Sequence, residues 1–273
     1  MQVPRVKLGA QGLQVSRVGF GCGGLSGILN APLSHEDGAA ILKEAFNKGI
    51  TFFDTADIYG KAGDNEIMIG KALKELPREQ VQVASKFGLY MPDGMSQVHV
   101  KGSPEYVRKC IEASLTRLDV DYIDLELGIG IVAYSPLGHG FFGGKGVVES
   151  LPSQSVLELH PRFTGENREK NKVLYTQFAS LAAKHSCTPP QLALAWLLHQ
   201  DNDVVPIPGT TKIKNLEANI GSLAVKLTAE DLKEIAAAIP PDQVGGEREC
   251  HLFKVFLQIC KYTTEKVIIL VKQ

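Results

Sequence analysis

"YIDLELGIGIVAYSPLG", residues 122–138, decides how the rest of the chain is read. It is a nearly unbroken run of β-type residues, far longer than the usual strand of about 5–6 residues. It divides into two strand-like halves, YIDLEL and IGIVAYS, with no turn or helix between them. Parallel neighbours in one sheet need a crossover of about a dozen residues or more. The two halves therefore cannot both hold adjacent parallel places, and the connection expected between them is missing.

On either side of this weld the pattern is regular. VKLG and LQVSR flank Ala10-Gln11-Gly12 and predict a small hairpin. RVGFG (17–21), ITFFDTA (50–56), VQVASKFG (81–88) and DVVPIPG (203–209) read as core strands. Between them lie helical stretches. One is capped by Ser34 and stopped by Gly49, one runs over about 65–76, and one is opened by Ser103-Pro104-Glu105. The last carries Val107, Cys110, Ile111, Ser114, Leu115 and Leu118 along one face. Further helices are expected over 168–185, 189–199 and 212–220, and a final one capped by Thr228 with Asp231 three residues on. Residues 138–167 show no periodicity, and a loop that long is usually functional or disordered.

Strand and helix alternating on a period of about 30 residues imply parallel βαβ units. A doubly wound sheet and a (β/α)8 barrel both satisfy that pattern. No GxGxxG opens the first helix, which counts against a dinucleotide-binding Rossmann sheet. About five core strands can be counted where a barrel needs eight. The three missing units would occupy roughly 80–100 residues, and the deficit falls at the weld.

The bulk numbers narrow the function. The 273 residues carry a net charge of −1, without the clustered Lys/Arg that nucleic acid or an anionic membrane requires. No run approaches a membrane span and the start has no signal-peptide core. Cys22, Cys110, Cys187, Cys250 and Cys260 form no CxxC pair, so a reduced, cytoplasmic protein without a metal site is expected.

Three residues suggest chemistry. Asp54 ends one strand, Tyr59 lies in the loop after it, and Lys86 ends the next strand. In a parallel barrel the C-terminal strand ends form the active face, so the three would converge on one rim. An ammonium beside a phenol stabilises the phenolate and lowers its pKa, and a carboxylate beside the ammonium fixes its position. The result would be a general acid able to protonate a developing alkoxide. A structural ion pair near a packed tyrosine satisfies the same spacing.

"RVGFGCGGLSG", "FFDTADIYG", "VASKFG", "RLDVDYIDL", "YSPLGHGFF" and "PIPGTTKIKNLEANIGSL", in this order, resemble the aldo-keto reductases of the perakine-reductase and auxin-induced type. The resemblance spans about 6–245. It implies a (β/α)8 barrel, NADPH (NADP+) as cofactor, and reduction of a small-molecule aldehyde or ketone. It implies Tyr59 as proton donor, tuned by Lys86 and Asp54. It places Gly21 and Cys22 near the nicotinamide, and Tyr134, Ser135, Pro136, Leu137 and Gly138 along the nicotinamide side and pyrophosphate. Lys145 and Arg162 match residues that clasp the cofactor. Gly209, Thr211, Lys212, Asn215 and Asn219 match the segment that holds the adenosine 2′-phosphate, a role suited to a helix start with a lysine.

This chain departs from the pattern at Gly23, His139 and Ala218, where the family usually carries methionine, arginine and glutamate. More is missing at the weld, where the family has a substrate-polarising histidine and strands five and six. The resemblance thus implies an incomplete barrel lacking the units around strands 4–6. The domain is 1–245, truncated near 125–127, with an atypical tail at 246–273 that is apolar but broken by Lys254, Lys261, Glu265 and Lys266. Two functions stay open: an NADPH-dependent carbonyl reductase, and an impaired or inactive isoform that keeps partial NADPH binding as a regulatory or binding product. Substrate and oligomeric state are not readable.

Overall fold

Two phenylalanines in a row, Phe52 and Phe53, show how the sheet is built. In the computed structural model the strand Phe52–Asp54 pairs in parallel with Phe20–Gly21 on one side and Gln82–Ala84 on the other. Successive side chains of a strand point to opposite faces. Phe53 and Val83 accordingly pack outward with helix residues Ile41, Leu42, Met68 and Ile69. Phe52 and Ala84 face the other way, into a cluster with Val205, Ile207, Leu8 and Val15. Strands apolar on both faces are the mark of a parallel sheet covered by helices. The structure describes residues 2–9, 12–27, 31–90, 99–124, 131–143, 151, 156–202 and 204–247.

In chain order the strands are β1 (Arg5–Leu8), β2 (Leu13–Ser16), β3 (Phe20–Gly21), β4 (Phe52–Asp54), β5 (Gln82–Ala84), β6 (Leu89–Tyr90), β7 (His99–Val100), β8 (Ile131–Ala133) and β9 (Val204–Pro206). The helices are α1 (His35–Asn47), α2 (Asp64–Leu73), α3 (Pro104–Leu118), α4 (Gly165–Lys184), α5 (Pro189–Leu198), α6 (Ile213–Gly221) and α7 (Ala229–Ala238). β1 and β2 form the antiparallel hairpin, whose Leu8 and Val15 close one end of the inner cluster. β8 and β9 form a second parallel pair. The Gly19 N–H donates to the Pro206 carbonyl at 3.0 Å, which joins that pair to β3. The wall therefore runs β8-β9-β3-β4-β5.

The sequence signals hold at most helix ends. Ser34 accepts from the Asp37 N–H, Ser103 from the Tyr106 N–H, and Thr228 forms a capping box with Asp231. Such a cap contributes about 1 kcal/mol. The strands are shorter than their apolar runs, since only the paired middle of each run is ladder; 17–21 narrows to β3 and 81–88 to β5. The β6–β7 hairpin after β5 was not signalled by the sequence.

At the weld, the Asp124 N–H donates to the Val83 carbonyl (3.1 Å) and its carboxylate accepts from the Val83 N–H (2.9 Å) and from Arg78 (2.7 Å). Asp124 thus covers the outer edge of β5 at Val83. Seven residues on, Ile131 pairs with Val204 at the opposite end of the wall. Only Ile131–Ala133 of the fused stretch is strand among the described residues, and 125–130 lie outside them. Seven steps of extended chain reach at most about 25 Å, so the two ends of the wall lie within that distance.

Candidate active site

The alternation that sends Phe52 and Ala84 inward also sets the next inward positions, Asp54 and Lys86, at the C-terminal rim of the two strands. Lys86 lies two residues beyond β5 rather than at its end. Its Nζ donates to Asp54 Oδ1 at 2.6 Å and to the Thr55 carbonyl at 2.6 Å. The same nitrogen stands 5.1 Å from the centroid of the Tyr59 ring. Asp54 is 7% exposed and Lys86 33%. The rim positions expected from the sequence are therefore brought together, by neighbouring parallel strands and the loop between β4 and α2.

The electrostatics differ from the sequence expectation in one respect. Lys86 does pull the Tyr59 phenol down, but burial pushes it up more strongly, and Asp54 adds to the rise. The net direction is upward, so Tyr59 is held protonated. Burial alone would lower Lys86; Asp54 and Tyr59 together reverse this and keep it above its ordinary value. Burial raises the Asp54 carboxyl, and Lys86 draws it part of the way back. The charged pair is the form the geometry supports, because Lys86 donates to two oxygens at once. A neutral phenol fixed beside an ammonium can donate a proton to an oxygen bound against it.

Around this group lies a buried polar layer that the sequence did not announce. Asn65 is fully buried and donates to the Cys22 carbonyl and to Ser26 Oγ, both at 2.9 Å, while accepting from Thr55 Oγ1 at 2.7 Å. Glu66, also fully buried, accepts from Ser85 Oγ and from Arg117 Nε, each at 2.6 Å. Both residues stand in the first turn of α2, where acidic and amide side chains are ordinary, so no pattern marks them.

The positions expected along the cofactor fall into three groups. Gly21 ends β3 and Cys22 follows it, and the Cys22 N–H donates to the Asp54 carbonyl at 2.8 Å. Burial, then Asp54, holds the Cys22 thiol well above its ordinary value. Tyr134, Ser135, Pro136, Leu137 and Gly138 follow β8 at the same end, since Ile207 N–H donates to the Ala133 carbonyl at 3.1 Å. Ser135, Gly138 and His139 all take left-handed backbone conformations, with φ of 45°, 60° and 56°. The His139 ring meets the buried His160 ring at 4.9 Å, which brings the Arg162 segment alongside. Arg162 Nε donates to the Gly246 carbonyl at 3.3 Å. Lys145 lies outside the described residues.

The third group opens α6. Gly209 crosses so near β3 that a Cβ there would fall onto the Gly21 carbonyl. Thr211, Lys212 and Asn215 stand at the helix start, with Lys212 and Asn215 exposed and no side-chain cap on the helix. Asn219 is buried, and its carbonyl accepts from Ser222 Oγ at 2.6 Å. Uncapped N–H groups with a lysine suit an anionic group, so the donors present fit a nucleotide phosphate. A groove of about 470 Å3 is lined by Thr211 and Ile213 at the α6 start and by Asp37 and Glu44 of α1, whose charge is unsuited to phosphate.

Among the described residues, His185, Asp231 and Glu234 are the one group with metal-ligand spacing. Asp231 is already engaged in the Thr228 cap and Glu234 in a 2.6 Å pair with Lys184. No helix of the described residues is long and apolar enough to cross a membrane.

Comparison with known proteins bears on this geometry. The model of the "Aldo/keto reductase family" matches the chain in two segments, 17–127 and 125–240. The chain is 48% identical over 320 residues to probable aldo-keto reductase 1 of Glycine max, covering 90% of this chain and 92% of that protein. Similar solved structures include a glycerol dehydrogenase from Gluconobacter oxydans (TM-score 0.73, 21% identity, 86% of this chain and 94% of that one). Another is an aldo-keto reductase from Bacillus halodurans in its holo form (TM-score 0.69, 20% identity, 92% and 98%). These neighbours share a (β/α)8 barrel-like α/β fold with the wall described above. The protein belongs to the aldo-keto reductase family, whose members oxidise and reduce small-molecule carbonyl compounds with a nicotinamide nucleotide.

Proposed function

We propose that this chain is an NADPH-dependent reductase of aldehydes or ketones, with Tyr59 as proton donor, Lys86 and Asp54 as its tuning pair, and NADPH held by the three groups above. The observation that carries this reading is the Lys86 ammonium, 2.6 Å from Asp54 and 5.1 Å from the Tyr59 ring centre, at the rim of two adjacent parallel strands. Bound NADPH would supply a hydride. Tyr59 would hold its proton toward the carbonyl oxygen, Lys86 would stabilise the phenolate left behind, and Asp54 would keep Lys86 in place. Thr211, Lys212 and Asn215 would hold the 2′-phosphate. Gly21, Cys22 and Tyr134 through Gly138, with Gly209, Lys145 and Arg162, would line the rest of the nucleotide, and Asn219 would brace the α6 segment. The reading places the protein in the cytoplasm.

We further propose that the barrel is incomplete: domain 1–245 lacks the units around strands 4–6, and 246–273 is an unrelated tail. Two findings support this. The two family matches meet at 125–127, at the weld. The alignment to the Glycine max protein runs 320 residues, whereas 90% of this chain is about 246, leaving roughly 74 positions without a counterpart here. The lost units would carry the substrate-polarising histidine, and an impaired or purely nucleotide-binding product is the second reading.

Two measurements decide. NADPH titration followed by Trp196 fluorescence should saturate, and its absence at millimolar cofactor removes both readings. Turnover of a reactive aromatic aldehyde should depend on Tyr59; equal rates for the wild-type chain and Tyr59→Phe would exclude the proton donor.

A further inference from the structure

Among the described residues only two carboxylates are buried, Asp54 and Glu66, and both act on the same strand end. Asp54 holds the Lys86 ammonium from the inner side. Glu66 reaches the residue before it from the other side. The Thr55 N–H donates to the Ala84 carbonyl at 2.8 Å and the Asp57 N–H to the Lys86 carbonyl at 3.0 Å, so the pairing of β4 with β5 runs on past the last strand residue. Alternation along such a stretch sends Ala84 and Lys86 inward and Ser85 outward. There Ser85 Oγ donates to Glu66 Oε1 at 2.6 Å. The other oxygen, Oε2, accepts from Arg117 Nε of α3 at 2.6 Å, and Arg117 also donates to Ser114 Oγ at 3.2 Å. Gly63 leaves room for the arginine, since a Cβ there would fall 2.5 Å from Arg117 Nε. Glu66 therefore has both oxygens committed, one to α3 and one to the neighbour of Lys86.

We propose that Glu66 is a positioning residue of the reductive site: through the Ser85 hydroxyl it fixes the strand end from which Lys86 reaches Tyr59. This rests on the reading of Tyr59 as the proton donor and Lys86 as its tuning group. Stability alone does not account for the arrangement, because a buried ion pair roughly breaks even with apolar side chains of the same volume. A carboxylate that ties α3 to this strand end supplies direction instead. With Ser85 held outward the extended chain resists turning about its axis, and the Lys86 side chain stays aimed inward. Asp54 and the Thr55 carbonyl then receive its ammonium. A loose strand end would be costly for chemistry, since a displacement of about 1 Å can lower a rate by about 10²-fold.

The test reads the Tyr59 phenol in the full chain labelled with fluorotyrosine, its fluorine resonance assigned by loss in Tyr59→Phe. Lys86, Asp54 and Cys22 are the titratable groups that face this phenol, and of these Lys86 alone pulls its alkaline midpoint down. Lys86→Met should raise that midpoint. Ser85→Ala, which changes no charge, should raise it part of the way, and Ser85→Thr should restore it. Glu66→Asp keeps the charge and shortens the reach; it should raise the midpoint as well, and adding Ser85→Ala to it should add nothing. A midpoint unmoved by Ser85→Ala overturns the proposal, and a lowered melting point beside it would make Glu66 a structural brace only. A midpoint unmoved by Lys86→Met defeats the Lys86–Tyr59 reading itself, and the proposal with it. Should Ser85→Ala fail to fold, Glu66→Asp decides by the same criterion. Where the wild-type chain turns over aldehyde, Ser85→Ala should lower kcat by about tenfold and leave the KM for NADPH unchanged, and an unchanged kcat overturns the proposal. A wild-type chain without turnover defeats the reductase reading and leaves the fluorine midpoints to decide this one.

Discussion

The half of the molecule before the weld and the half after it are stabilised differently. From β3 to α3 the rim is knitted by buried charge: Asp54 to Lys86 and Glu66 to Arg117, each at 2.6 Å, with Asn65 bridging three partners. From β8 to α7 the inner contacts are rings, His139 on His160 at 4.9 Å and Phe142 on Phe178 at 4.6 Å, with Trp196 donating to the Leu232 carbonyl, while an ion pair such as Lys184 with Glu234 is exposed. The Asp54–Tyr59–Lys86 group thus resides in one continuous run of chain, whereas the positions proposed for the nucleotide come from three separate segments, one of them in the first half.

The contrast can be broken at its strongest point first. Removing the phenol hydroxyl with Tyr59→Phe should reduce aldehyde turnover by about 10²–10⁴-fold. NADPH affinity, read by Trp196 quenching, should stay nearly unchanged, because the substitution removes only a hydroxyl and none of the groups proposed to hold the nucleotide. Glu66→Ala should strip a buried carboxylate from Arg117 and destabilise the chain by about 3–5 kcal/mol in a denaturant melt. Loss of less than about 1 kcal/mol would mean the pair behaves like an exposed one and the first half is not held by buried charge.

On the other side of the weld, Lys212→Met should weaken NADPH by about tenfold while leaving NADH nearly untouched, since a charged hydrogen bond to phosphate contributes about 1.5–3 kcal/mol. Equal losses for both nucleotides would move the 2′-phosphate elsewhere.

The smallest effect is on pH. The Asp57 carboxyl is raised from an ordinary 3.8 to about 6, so the folded chain binds more protons than the unfolded one between those values. Stability contributed by that group is then greatest at low pH and falls as pH rises through about 6. Asp57→Asn should therefore melt higher than the wild-type chain above that pH, with the difference shrinking toward 3.8. A melting point that drops at neutral pH would show the charge to be stabilising.

The features legible in the sequence were those set by neighbours along the chain. The Ser34 and Ser103 caps and the Thr228 box all follow from local spacing. The proposed weld rests on the same local reading, strand-forming residues running on where a crossover is expected. What could not be read was which distant residues would meet. Ser85, Glu66 and Arg117 are separated by 19 and 51 positions, and nothing in their spacing pairs them. The direction of the Tyr59 shift was missed for a related reason: the charges nearby can be guessed from a motif, but the depth of burial that outweighs them cannot.

By itself the chain of residues determined the alternation of strand and helix, the position of Asp54 and Lys86 near neighbouring strand ends, and the family, because periodicity and motif are properties of order along a chain. Only the folded structure decided that burial holds the phenol protonated, that a second carboxylate pair stands behind Lys86, and that Asp124 covers the edge of β5. Those depend on desolvation and on contacts between residues far apart in sequence, which exist only once the wall has closed around them.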